Sequence, residues 1–272
     1  MEAMVLICLG ESGGCHVEKH ILSIHAHPDD AETLAGGTLA LLASQGHRIT
    51  IATMTAGDCG AVETGPEETA NIRKREAATA AAVIGAASAC VGFPDLGIFN
   101  NDPSRRSVVE FIRSMKPDVI LTSAPADYHP DHEATSLLVR DACFAVSVPN
   151  YHTGDARPLE EIPHLYFMDP IEGRDREGNA VPPQFGVNVE AVMDAKRRML
   201  LAHESQRDWV KRQHGIDNYA DAMESWTRSR GGHFGVAYAE GFRQYTSHPY
   251  PRSRLLQELA GRHLLSPNAY RE

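Results

Sequence analysis

Two short stretches carry residue types that can do chemistry together: His27-Pro28-Asp29-Asp30 and His129-Pro130-Asp131-His132. His27 and Asp30 lie three apart across a proline-stiffened turn, so both can face one point. His132 opens a helix and holds a fixed direction, which makes it the natural third member. A catalytic zinc takes three protein ligands and leaves one position for water. Water on such an ion falls from a pKa of about 15.7 to about 7. His27, Asp30 and His132 therefore read as the ligands of a divalent ion.

Asp29 adjoins a ligand but is free of the ion, and is placed to take the proton of that water. The ion's charge keeps it ionised beside Asp30. His129, as a protonated imidazole across the ion, can stabilise a tetrahedral oxyanion. Asp131 is expected to hydrogen-bond the other ring nitrogen of His129 and hold its charge. Tyr128 precedes His129 and is a candidate pocket wall. The set reads as metal-assisted hydrolysis of an acyl bond, an amide foremost. His25 reads as a strand residue packed on a helix, Cys59 as incidental, and His203 in "AHESQ" as a surface or interface histidine.

Both motifs need elements that bring them together. Strands are predicted at Ile21–Ala26, His47–Thr55, Ala89–Phe93, Asp118–Ser123 and Leu165–Met168. Helical patterns fill Thr33–Gln45, Glu67–Ile84, Ser104–Met115 and His132–Val146, closed by Gly46, Gly85 and Pro117 where these occur. Strand–helix repetition implies an α/β fold, a Rossmann-like, mostly parallel sheet with helices on both faces. Such sheets bind ligands beyond the carboxyl ends of their strands, where both motifs fall. Residues 170–190 are rich in Gly, Pro and charge and read as a loop, with the insertion placed at 169–188. Val189–Gln213 reads as one helix, and Gly231–Glu240 as a lid or subunit contact. The expected organisation is a flexible leader over 1–19, one catalytic domain over 20–248, and a C-terminal extension over 249–272.

The composition, 42% hydrophobic and 23% charged, is that of an ordinary soluble domain. A formal charge of 26 − 36 = −10 argues against nucleic-acid or anionic-membrane partners. No run is long enough to span a membrane. Five cysteines without C-x-x-C spacing argue against a disulfide framework and for the cytoplasm.

The stretches "AHPDDAE", "GGTLA" and "YHPDHEAT" resemble the LmbE-like (PIG-L) zinc-dependent deacetylases of N-acetylglucosamine derivatives, over residues 20–245. The resemblance implies a Rossmann-like LmbE fold, with zinc on His27, Asp30 and His132, Asp29 as base, and His129 at the transition state with Asp131 as its partner. It also implies sugar contacts from Arg73 in "IRKREA" and Asp95 in "FPDLGI". Zinc is the expected ion, with Fe2+ or another divalent ion open to the same donors. A small amino-sugar substrate is implied, as is a homo-oligomer built through the segment from Pro249. Ala31 stands before Glu32 where some members run H-P-D-D-E, so Glu32 is expected to be structural. An amidase for a larger thiol-sugar conjugate would use the same ion site. A non-catalytic sugar- or metal-binding protein would need neither Asp29 nor His129.

Overall fold

The computed structural model describes residues 17–214 and 218–267. The leader expected over 1–19 lies, for residues 1–16, outside the described residues. Five strands, β1 (His20–His25), β2 (Arg48–Thr55), β3 (Ala87–Phe93), β4 (Val119–Thr122) and β5 (His164–Met168), pair in parallel. Three more, β6 (Phe185–Asn188), β7 (Ala239–Tyr245) and β8 (Leu264–Leu265), extend the sheet antiparallel. The order is β3-β2-β1-β4-β5-β7-β6-β8, a mostly parallel mixed sheet.

Period-two alternation assigns each strand's side chains to two cores. Ile21, Val119, Leu121, Tyr166 and Met168 face one core, whereas Leu22, Ile24, Ile120, Leu165 and Phe167 face the other. The first core is covered by α1 (Asp30–Leu34), α2 (Gly36–Ser44) and α3 (Pro66–Ala82), the second by α4 (Asp102–Met115) and α5 (Pro130–Ala145). The chain thus leaves β1 toward one edge of the sheet and leaves β4 toward the other. That reversal opens a crevice at the carboxyl ends of β1 and β4, where both H-P-D stretches sit.

Several elements differ from the sequence expectation. The helix expected over Thr33–Gln45 is two, α1 and α2, broken at Ala35 with φ −134°. The expected loop ends in β6. The helix expected over Val189–Gln213 is α6 (Met193–Leu201) and α7 (Glu204–His214). The break between them turns His203 into the core, fully buried rather than at the surface. Helix α8 (Tyr219–Phe234) has no counterpart in the sequence reading. Gly231–Glu240 is no lid: it closes α8 and leads into β7. The segment after Pro249 packs back on the domain through α9 (Leu255–Ala260), with Leu256 fully buried and its N–H donating to the Tyr166 hydroxyl.

One buried carboxylate, Glu240, ties the antiparallel half to the parallel half. Glu240 of β7 accepts the N–H groups of Gly37 (2.8 Å) and Thr38 (2.7 Å) and the Lys196 ammonium (2.5 Å). These amides open α2 and have no partner inside the helix. Both charged side chains are almost wholly buried, so removing one strands the other. Glu240→Ala is expected to lower unfolding stability by about 3–5 kcal/mol; in urea denaturation, a midpoint unchanged from the parent would contradict this.

Candidate active site

The first loop leaves β1 through Ala26 and turns at once. Asp29 adopts φ 95°, the left-handed region, without being glycine. Such a backbone costs about 1–3 kcal/mol and persists only where its surroundings dictate it. Here the Asp30 carboxylate folds back to accept the His27 N–H at 2.8 Å. Arg73 donates to Pro28 O and Gly57 O, both at 2.9 Å. Gly57 has φ +67°, and a Cβ there would meet the Arg73 guanidinium at 2.0 Å, so the loop after β2 closes over Arg73 only as glycine.

The second loop leaves β4 and enters α5 with His129 as its N-cap, whose Nδ1 accepts the Asp131 N–H at 3.2 Å. His132, in the first turn, is thereby aimed back at Asp30. Asp30 Oδ1 lies 3.3 Å from His132 Nε2, and Oδ2 lies 3.7 Å from His27 Nδ1. The rings of His27, His129 and His132 cluster with centroids 4.8–5.4 Å apart. Ligand atoms of these three histidines lie within 4.8 Å of one another, so the group is able to hold a metal ion.

The far nitrogens of two histidines are engaged by carboxylates. His27 Nε2 lies 3.0 Å from Asp95 Oδ1 and 3.3 Å from Asp131 Oδ2, and His132 Nδ1 lies 3.0 Å from Asp127 Oδ1. A carboxylate on one imidazole nitrogen is the usual means of aiming the other at a metal. Bonds of about 2.0–2.2 Å to a tetrahedral ion place ligand atoms roughly 3.3–3.6 Å apart, close to the two Asp30 separations of 3.3 and 3.7 Å. The donor set therefore fits a divalent ion.

The electrostatics agree. Burial disfavours charge on His27, yet its hydrogen bonds to Asp131 and Asp95 raise it to about 9. Burial also opposes charge on His132, but Asp30 and Asp127 raise it well above its ordinary value. Asp30, despite burial, is held well below the carboxylate range by His132. Burial raises Asp29, opposed chiefly by Arg73. These are the signs of a site whose carboxylates call for a cation.

The sequence-predicted residues sort as follows. His27, Asp29, Asp30, His129 and His132 converge, and Tyr128 lines the adjoining cavity. The Asp131 carboxylate does not partner His129. It accepts the Leu96 N–H at 2.8 Å and faces His27, because the N-cap geometry gives His129 the Asp131 backbone instead. His129 is accordingly not a charged ring held by a carboxylate. Burial, with His132 and His27 beside it, lowers its basicity, and Nδ1 is an acceptor. Asp95 is a support of His27, brought down to about 2 against burial by that hydrogen bond. Arg73 is 3% exposed and lies beneath Asp29, its Nη2 3.8 Å from Oδ2. Neither Arg73 nor Asp95 lines the cavity. His203 lies 3.4 Å from Glu32, both buried under this loop, which gives Glu32 the structural place expected of it.

Sequence reasoning missed two residues whose side chains contact this cluster. Asp127, two residues before His129, carries a signal in the sequence as an acid beside the motif. Tyr219, whose hydroxyl donates to Asp29 Oδ2 at 2.6 Å, has none, since its helix is remote in sequence. The cavity of about 640 Å³ beside the histidines is walled by α8 and the 170–180 loop.

Fold and site together are those of a Rossmann-like α/β protein with a histidine–carboxylate cluster able to hold a metal ion at its topological switch point. The chain belongs to the PIG-L family, described as GlcNAc-PI de-N-acetylase, whose profile matches residues 22–143. It is 31% identical over 201 residues to a probable N-acetyl-alpha-D-glucosaminyl L-malate deacetylase 2 of Bacillus cereus, spanning 71% of this chain and 86% of that one. It is 27% identical to a diacetylchitobiose deacetylase of Thermococcus kodakarensis, over 69% and 70% of the two chains. Among solved structures, a conserved protein from Thermus thermophilus superposes with TM-score 0.70 at 28% identity, covering 86% of this chain and all of that one. No described helix is long and apolar enough to cross a membrane.

If Asp127 aims His132, Asp127→Asn is expected to weaken Zn2+ affinity about 10- to 100-fold. Competition against a chromophoric chelator measures it, and unchanged affinity would remove Asp127 from this role.

Proposed function

We propose that the chain is a metal-dependent hydrolase that removes the acetyl group from an N-acetylglucosamine derivative. The observation that carries this is an aspartate left out of the cradle but pinned beside it: Asp29, held by Tyr219 at one oxygen and by a strained backbone. A protein that merely binds metal or sugar has no need of such a group. Family membership, and relatives named as deacetylases of N-acetylglucosamine compounds, support the same reading.

His27, Asp30 and His132 would hold the ion, zinc in the first instance. Once bound, the ion supplies a Lewis acid that polarises the amide carbonyl and acidifies the attacking water. Asp29 Oδ2 is committed to the Tyr219 hydroxyl, which leaves Oδ1 to take the proton of the water. The same oxygen then delivers that proton to the departing amine, as one group can serve as base and then acid. His129, with Nδ1 accepting the Asp131 N–H, carries its proton on Nε2 and donates it as a hydrogen bond to the developing oxyanion. Acetate and a free amino sugar are the products.

The test is release of primary amine from N-acetylglucosamine derivatives by zinc- or iron-loaded protein. Asp29→Asn is expected to retain metal and to lose about 10²- to 10⁴-fold in kcat. His132→Ala is expected to lose the metal itself, read by elemental analysis. Loaded wild-type protein that binds the sugars and never releases acetate would overturn the proposal. Cleavage of a large thiol-conjugate amide with no action on acetamides would move the chain to the amidase reading, which the mycothiol S-conjugate amidase of Streptomyces coelicolor, 28% identical, keeps in view.

A further inference from the structure

Helix α8 runs outward from the reacting centre along one wall of the cavity. Tyr219, Met223 and Trp226 occupy positions i, i+4 and i+7 and all line it, as one helical face requires. Tyr219 marks the origin, since its hydroxyl is on Asp29. Seven residues at about 1.5 Å each set Trp226 roughly 10 Å farther along. One pyranose ring whose acetamide sits at Asp29 does not reach that far.

Trp226 is braced as a platform. The Arg230 guanidinium lies over its ring, 4.8 Å from the centroid. Arg230 is in turn held by the buried Asp169 carboxylate, Nε to Oδ2 2.7 Å. The 170–180 loop passes over both at Gly173, φ +62°, where a Cβ would meet Arg230 at 2.5 Å and Trp226 at 2.9 Å. Three separate segments, the end of β5, the loop and α8, thus fix one indole that still faces the cavity. A rigid aromatic surface costs little ordering on binding. It suits a ring with an apolar C–H face better than a short, flexible, charged chain.

Resting on the deacetylase reading above, we propose that Trp226 forms a second subsite that selects substrates whose N-acetylglucosamine unit is linked to another ring, a sugar or cyclitol, over free N-acetylglucosamine or a conjugate with an acyclic acid. Trp226 is a specificity-determining residue in this proposal and touches no reacting atom.

The experiment compares amine release by metal-loaded wild-type, Trp226→Ala and Trp226→Phe proteins. The substrates are N-acetylglucosamine, N,N'-diacetylchitobiose, an N-acetylglucosaminyl inositol and N-acetylglucosaminyl malate. The expected result is that wild type prefers the two ring-linked substrates. Trp226→Ala should raise their KM about tenfold with kcat nearly unchanged. It should leave free N-acetylglucosamine unaffected, and Trp226→Phe should recover much of the loss. Equal losses on all four substrates, or a wild-type preference for the malate conjugate, would overturn the subsite while leaving the deacetylase reading intact. Absence of turnover on every substrate by loaded wild type would overturn that reading and the subsite with it. Arg230→Met is the second handle: it removes the brace without touching the cavity wall, and is expected to raise KM for the ring-linked substrates alone. Circular dichroism and metal content should match wild type in each variant.

Discussion

The arrangement rests on a concentration of negative charge that the fold confines and does not neutralise by itself. Asp30, Asp95, Asp127 and Asp131 gather around two histidines at the mouth of one crevice, with Asp29 beside Asp30. Like charges this close raise one another's proton affinity unless a cation intervenes. The elevated basicity of His27 and His132 is the consequence in this chain. On each of these two histidines one nitrogen is hydrogen-bonded to a carboxylate, and the other faces an Asp30 oxygen at 3.3 or 3.7 Å, close to the spacing of two ligands on one divalent ion.

Holding that charge in place requires bracing from several elements. Arg73, from α3, links the backbones of the first two loops beneath Asp29. Asp131 ties the third loop, through Leu96 N, to His27. The "AHESQ" segment fills the space behind. His203 faces Glu32, the Ser205 N–H and hydroxyl go to Glu76, and the Gln206 amide donates to Gly60 O. Each brace joins elements distant in sequence, which is how a positive-φ aspartate survives at a turn with no glycine.

These long-range braces mark where sequence reasoning succeeds and where it stops. The parallel strands and the two H-P-D turns were legible because their signals are local: apolar runs, glycine and proline punctuation, and ligand spacing across a rigid dipeptide. The supporting roles were not. Arg73 and Asp95 sit at positions that resemblance gives to sugar contacts, yet burial places one under Asp29 and the other on His27. The partner of His129 was misread for a related reason. Whether Asp131 offers its side chain or its backbone depends on the N-cap geometry of α5, which residue order does not encode. His203 looked like a helix-surface residue because nothing near it announces the break between α6 and α7.

The distribution of roles across the sheet has a functional consequence. The chemistry stands on the parallel half, where β1 and β4 diverge and the switch point supplies the crevice. The cavity wall comes from the later half: the loop after β5 and helix α8, held by Asp169 and Arg230. Changes in the wall can therefore alter what enters without disturbing the cradle. The two halves meet where Glu240 accepts the Gly37 and Thr38 N–H groups and where the Tyr219 hydroxyl reaches Asp29. One helix carries both the Tyr219 anchor and Trp226 on its cavity face, so the wall of the cavity and the Asp29 carboxylate are tied to the same element.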